Sequence, residues 1–188
     1  MQYARRIIDD ELDELFGQVP AIAIDGPRAV GKTTTAEQRV AGLLRLDSRP
    51  NREAVHADPS VLLTRPRPLL IDEWQKVPEV WDVVRRAVDA DPAGGQFLLT
   101  GSASPRPGAT AHTGAGRIGR LRMRPMTLSE RGVGSPTVSI AELISGREPA
   151  LGGLAELRLA DYTAEIVASG FPGMRSLGTR ALRFQLDS

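Results

Sequence analysis

The chain has 188 residues, with 24 Lys plus Arg against 23 Asp plus Glu, a formal net charge of +1 and no cysteine. This length suits one domain, or one with a small appendage, and 41% hydrophobic with 25% charged residues is the balance of a globular fold rather than a disordered one. Near-neutral charge gives no overall field for nucleic acid or a membrane surface, and the lack of cysteine excludes disulfides and thiolate metal sites.

Residues 3–16 are expected to form an amphipathic helix. Ile8, Leu12 and Leu15 fall on one face, and Asp9, Asp10, Glu11, Asp13 and Glu14 make the rest acidic. Arg5 and Arg6 have no apolar stretch behind them, so no signal peptide is expected. No run reaches the ~18 apolar residues of a membrane span, and a cytoplasmic chain is the expectation. Gly17 and Pro20 end the helix. Apolar runs at 21–24, 43–46, 69–71, 97–99 and 121–123 are strand candidates. Helices are expected over 32–42, 59–64, 78–89 and 128–132. Asp58-Pro59 reads as an N-cap followed by proline at the first helical position, and Thr127 to Glu130 has capping-box spacing.

Short apolar strands alternating with helices predict an α/β fold, a mostly parallel sheet covered by helices on both faces. Ligands of such sheets bind outside the carboxyl ends of the strands. Residues 103–119 are rich in Gly, Pro, Ala, Ser and Thr and read as a long loop. A further helix is expected at 159–169, before Gly170-Phe171-Pro172-Gly173. The tail runs helix-like to Ser188 with no stop signal, as in a fragment or truncated product. The expected division is a core with its N-terminal helix at 1–135, then a lid-like or incomplete region at 136–188.

Chemistry enters at Gly26-Pro27-Arg28-Ala29-Val30-Gly31-Lys32-Thr33, which matches G-x-x-x-x-G-K-[ST] between an apolar run and a helical stretch. Gly26 and Gly31 let the backbone turn tightly and present N–H groups to phosphate oxygens, and the helix N-terminus adds a positive dipole end. Lys32 would reach the β- and γ-phosphates, and the Thr33 hydroxyl can ligate Mg²⁺. Thr34 completes the expected ATP-binding set. Only Lys32 and Lys76 are lysines in a chain whose other cations are arginines, and one of the two sits where the motif requires lysine.

Pro68-Leu69-Leu70-Ile71 ends in Asp72-Glu73. Beside a phosphate loop, Asp72 is expected to serve the metal and Glu73 to polarise the attacking water as general base. The next strand-to-turn junction carries Thr100 and Ser102, either of which can sense the γ-phosphate. Arg117 follows Gly114 and Gly116 on the long loop and is the candidate for an arginine supplied to a phosphate, often a neighbouring subunit's, with Arg120 second. His56 and His112 lack partners at metal-ligand spacing, Trp74 and Trp81 read as packing residues, and Arg175 is a minor nucleotide-sensing candidate.

These segments resemble the bacterial and archaeal AAA-domain ATP-binding proteins. The resemblance rests on the phosphate loop, Leu70-Ile71-Asp72-Glu73-Trp74-Gln75, Leu98-Leu99-Thr100-Gly101-Ser102-Ala103, and Gly114-Ala115-Gly116-Arg117-Ile118 with Met123-Arg124-Pro125-Met126. Ala168-Ser169-Gly170-Phe171-Pro172 resembles the family's lid-side region, and the likeness runs from about Tyr3 to Arg180. It implies an AAA-like P-loop fold using ATP and Mg²⁺. Gly26, Gly31, Lys32 and Thr33 would bind nucleotide, Asp72 the metal, and Glu73 the water. Thr100 or Ser102 would be the first sensor, and Arg117 belongs to the glycine-arginine motif. The nuclease-like domain that commonly follows in the family has no counterpart in these 188 residues.

An ATP-hydrolysing AAA-type domain is therefore the leading expectation. A nucleotide-gated DNA- or protein-binding module is the alternative, motivated by the arginines at 117–131. A P-loop small-molecule kinase is the third reading, against which stands the strand-borne acid pair. A GTPase is disfavoured, because the only asparagine, Asn51, is followed by Arg52 and cannot begin a guanine-selective Asn-Lys-x-Asp. The expected partners are ATP, a second copy of the chain, and a nucleic acid or protein, with no membrane.

Overall fold

The computed structural model describes residues 3–101, 116–134, 138–147, 157–175 and 177–186. Ser102 and His112 lie outside the described residues. Two compact units divide at Arg124/Pro125.

The first unit begins with α1 (Ile7–Leu15), whose Leu12 is fully buried. There follow β1 (Ala21–Asp25), α2 (Lys32–Glu37), β2 (Gly42–Arg45), α3 (Arg49–Ala57) and a 3-10 turn at Pro59–Thr64. After β3 (Leu69–Asp72) come a short 3-10 turn at Trp74–Lys76, α4 (Glu79–Ala90), β4 (Phe97–Gly101) and β5 (Ile118–Arg122). The strands form one five-stranded sheet in the order β2-β3-β4-β1-β5, and every pairing is parallel.

Both faces of the sheet are apolar, as a covered parallel sheet requires. Side chains alternate across it. Ala21, Ala23, Leu69, Ile71, Phe97 and Leu99 join one core cluster with Trp74, Trp81 and Val84. Ile22, Ile24, Leu70 and Leu98 are equally buried outside that cluster, on the alternate positions. Trp74 and Trp81 stack at 4.8 Å between ring centroids, so both indoles are packing residues.

Several expected elements shift. The helix at 32–42 stops at Glu37, because Gly42 already opens β2, where a Cβ would meet the Pro66 carbonyl oxygen at 2.3 Å. The helix α3 was not foreseen, although Ser48 followed by a proline in the first turn is a helix start. The fifth strand begins at Ile118, three residues before the expected run and inside the expected loop. It is an edge strand, and its Arg120 and Arg122 share a face with the buried Ile118. At 59–64 the expected helix is a 3-10 turn, with Asp58 Oδ1 accepting from Ser60 N at 2.9 Å. The capping box at Thr127 and Glu130 forms in both directions, at 2.7 and 3.2 Å, but caps only turns.

The second unit contains α5 (Ile140–Ile144), α6 (Leu159–Ala168), α7 (Pro172–Arg175) and α8 (Thr179–Leu186). Glu165 accepts from Arg131 at 3.2 Å and from Arg175 at 2.8 Å, and the two guanidiniums hold its carboxyl below the usual range. No helix among the described residues is long and apolar enough to cross a membrane.

Candidate nucleotide-binding site

The residues from Gly26 to Thr33 connect the carboxyl end of β1 to the first turn of α2. Gly26 (φ +155°), Ala29 (φ +63°) and Gly31 (φ +107°) all have positive φ. Gly26 cannot be replaced for a second reason, since a Cβ there would lie 2.3 Å from the Met123 carbonyl oxygen. Ala29 and Gly31 both take left-handed backbone conformations, the kind of turn that can aim successive backbone amides at an anion. Pro27, Arg28, Ala29 and Thr34 are exposed, Val30 is buried, and Gly31 and Thr33 are half-buried.

Lys32 is only 6% exposed, and its ammonium donates to the Gly26 and Pro27 carbonyls at 2.9 and 2.8 Å. Burial pulls its pKa below the ordinary lysine value, against the opposing charges of Glu73, Asp72 and Asp25.

Asp72 ends β3 and is 7% exposed. Its Oδ1 accepts from the Thr33 hydroxyl at 2.8 Å and from the buried Thr100 hydroxyl at 2.6 Å. The sheet order explains the convergence: β4 lies between β1 and β3 and pairs Thr100 with both Ile24 and Asp72. Glu73 leaves the strand in the left-handed region (φ +56°, ψ +41°), and its Oε2 accepts from Gln75 Nε2 at 2.5 Å. Thr33, Lys32, Asp72, Glu73 and Thr100 are thus brought to one end of the sheet.

Arg117 is not. It stands just before β5, whose register with β1 puts Ile118 beside Ala21 and Arg122 beside Asp25. Four residues of strand, about 13 Å, separate the two ends. Arg117 instead pairs with Asp89 of α4 at 2.6 Å. Arg120 is the arginine carried toward the loop, 3.5 Å from Asp25 and over the Trp81 ring at 5.0 Å. Arg175 is engaged by Glu165, and His56 is exposed on α3.

Two contributors escaped the sequence reading. Arg6, 5% exposed, donates to the Val30 carbonyl of the phosphate loop at 2.9 Å and to the Arg124 carbonyl at 2.8 Å. The Tyr3 hydroxyl donates to Asp9 at 2.6 Å and accepts from the Thr35 hydroxyl of α2 at 3.1 Å. The N-terminal helix therefore braces the loop and its helix. A basic residue opening an acidic helix was the only local signal. Gln75 was in view beside the acid pair, but its contact to Glu73 depends on a turn that the sequence does not announce.

Burial raises the Asp25 carboxyl above its ordinary 3.8, with Arg120, Lys32 and Arg122 opposing. The folded state then holds this proton more tightly than the unfolded chain. Stability contributed by Asp25 therefore falls as pH rises from 3.8 through the raised value. Asp25→Asn should gain on the parent across that window. Chemical-denaturation midpoints measured at successive pH values check this, and a pH-independent difference would contradict it.

A parallel five-stranded sheet, a phosphate loop leading into a helix, and a strand-borne acid beneath it define a P-loop nucleotide-binding domain. The family model described as AAA domain matches residues 18–131, and the chain belongs to that family. It is also similar to Uncharacterized protein Mb2031c of Mycobacterium bovis and Uncharacterized protein Rv2008c of Mycobacterium tuberculosis. Each is 31% identical over 154 residues, covering 79% of this chain and 34% of the relative. The chain thus spans about a third of the length of these curated relatives.

Proposed function

We propose that the chain binds ATP with Mg²⁺ and hydrolyses it to ADP and phosphate. One observation carries the reading: a single buried carboxylate oxygen, Asp72 Oδ1, joins the phosphate-loop threonine to the hydroxyl of the neighbouring strand.

The donor set suits Mg²⁺. Thr33 and Asp72 offer hard oxygens 2.8 Å apart, and they are the residues that would hold the ion. The described residues contain no cluster of three or more His, Asp or Glu able to hold a metal alone. That also fits, because Mg²⁺ usually takes one or two carboxylates and completes its shell with phosphates and waters. When bound, the ion would offset the charge that develops on the phosphoryl oxygens.

The chain's own groups supply the rest. The loop amides and Lys32 bind and orient the phosphates. Thr100 fixes the Asp72 carboxylate. Glu73 takes a proton from water as the water oxygen bonds to the γ-phosphorus and the bond to the β-phosphate oxygen breaks, leaving ADP and phosphate. Calorimetric titration with ATP, with and without Mg²⁺, tests the binding half. Tight, magnesium-dependent binding is expected, and no binding would refute the reading. Tight binding without turnover would favour the nucleotide-gated binding module.

For Arg117 the reading is supply to a neighbouring subunit, since its own phosphate loop lies at the far end of β5. Arg117→Ala subunits and Lys32→Ala subunits should each be nearly inactive alone and recover activity when mixed. An arginine in trans contributes ~10³–10⁵-fold. No recovery despite co-assembly, or full activity of Arg117→Ala alone, would remove this role.

A further inference from the structure

We propose that Gln75 is a positioning residue for Glu73 and that Gly101 is the space kept for its amide. The inference rests on the reading of Glu73 as the general base.

The local chain makes the contact. Glu73 has positive φ and caps the 3-10 turn Trp74–Lys76. That turn brings the Gln75 side chain back onto the residue two before it, with Nε2 donating to Glu73 Oε2 at 2.5 Å. One carboxylate oxygen is thus held by a neutral donor, which leaves the other oxygen for water.

The far side of Gln75 meets β4. A Cβ on Gly101 would stand 2.5 Å from Gln75 Oε1 and 3.0 Å from Trp74 Nε1. Gly101 is not among the positive-φ glycines, so room is what it provides. Trp74 is 1% exposed and stacked on Trp81, which leaves the Gln75 amide as the group that must yield. Adjacent residues of β4 thereby serve both acids: Thr100 holds Asp72 directly, and Gly101 makes room for the group that holds Glu73.

The test has two readouts. In the nucleotide-free protein, the Gln75 side-chain amide is one of six glutamine pairs beside a single asparagine, assignable by NMR through its loss in Gln75→Ala. Its resonances should shift in Glu73→Ala and in Gly101→Ala, and resonances unmoved by both would overturn the contact. In steady-state hydrolysis, Gln75→Ala and the isosteric Gln75→Glu should lower kcat about 10- to 100-fold, as loss of an orienting partner does. ATP affinity by calorimetry should hold within about 2-fold for a group that acts on turnover alone, which also certifies the fold. Gly101→Ala should show the same split, and Gln75→Ala/Gly101→Ala should be no worse than the worse single variant. A parent-like or raised kcat in Gln75→Ala, or losses that multiply in the double variant, would overturn the proposal. Glu73→Gln is assayed alongside. If it hydrolyses ATP like the parent, the base assignment fails. If it is inactive while Gln75→Ala matches the parent, positioning by Gln75 fails alone.

Discussion

Glu73→Gln is expected to lose roughly 10²–10⁴-fold in ATP turnover, the contribution of a positioned general base. The substitution preserves size and keeps an oxygen that can accept from Gln75, so the contact seen at 2.5 Å has a replacement. What disappears, on the proposed reading, is the site that takes the proton. Asp72, Thr33 and Thr100 are untouched, so affinity for Mg²⁺ and ATP should remain close to that of the parent. Phosphate release measured at saturating ATP, with affinity measured separately by calorimetry, checks both halves. Equal hydrolysis by the variant and the parent would remove Glu73 from the mechanism.

Lys32→Ala should act on the other parameter. A buried ammonium turned onto bound phosphates would make charge-assisted hydrogen bonds worth about 1.5–3 kcal/mol, so ATP binding should weaken at least ~10- to 100-fold. Stability should suffer little, because burial disfavours the charged lysine in the folded protein, as its lowered pKa records. The variant should therefore fold with a thermal midpoint near the parent's and fail at the nucleotide. Calorimetry showing parental affinity would mean that the loop does not hold the phosphates.

Much of this site could be read from residue order. The phosphate loop is local, since eight consecutive residues between an apolar run and a helix carry its whole pattern. Asp72-Glu73 at the end of Leu69-Leu70-Ile71 is equally local, and Thr100 follows from the next apolar run. Long-range geometry was not legible. Nothing near Gln75 says that it folds back on Glu73, and nothing near Arg6 says that it reaches the Val30 carbonyl 24 residues away. The fifth strand was misjudged at its start because Ile118-Gly119-Arg120 lacks a continuous apolar run. An edge strand needs none: Arg120 shares a face with the buried Ile118 and lies over the Trp81 ring. The same register explains why Arg120, rather than Arg117, meets Asp25.

Steady-state phosphate release by the intact chain tests the central claim most directly, with ATP and Mg²⁺ and again with the metal chelated. The account predicts release that requires Mg²⁺ and that falls to background in Lys32→Ala and Glu73→Gln. Release no greater than that of Lys32→Ala, from protein shown to bind ATP, would contradict it.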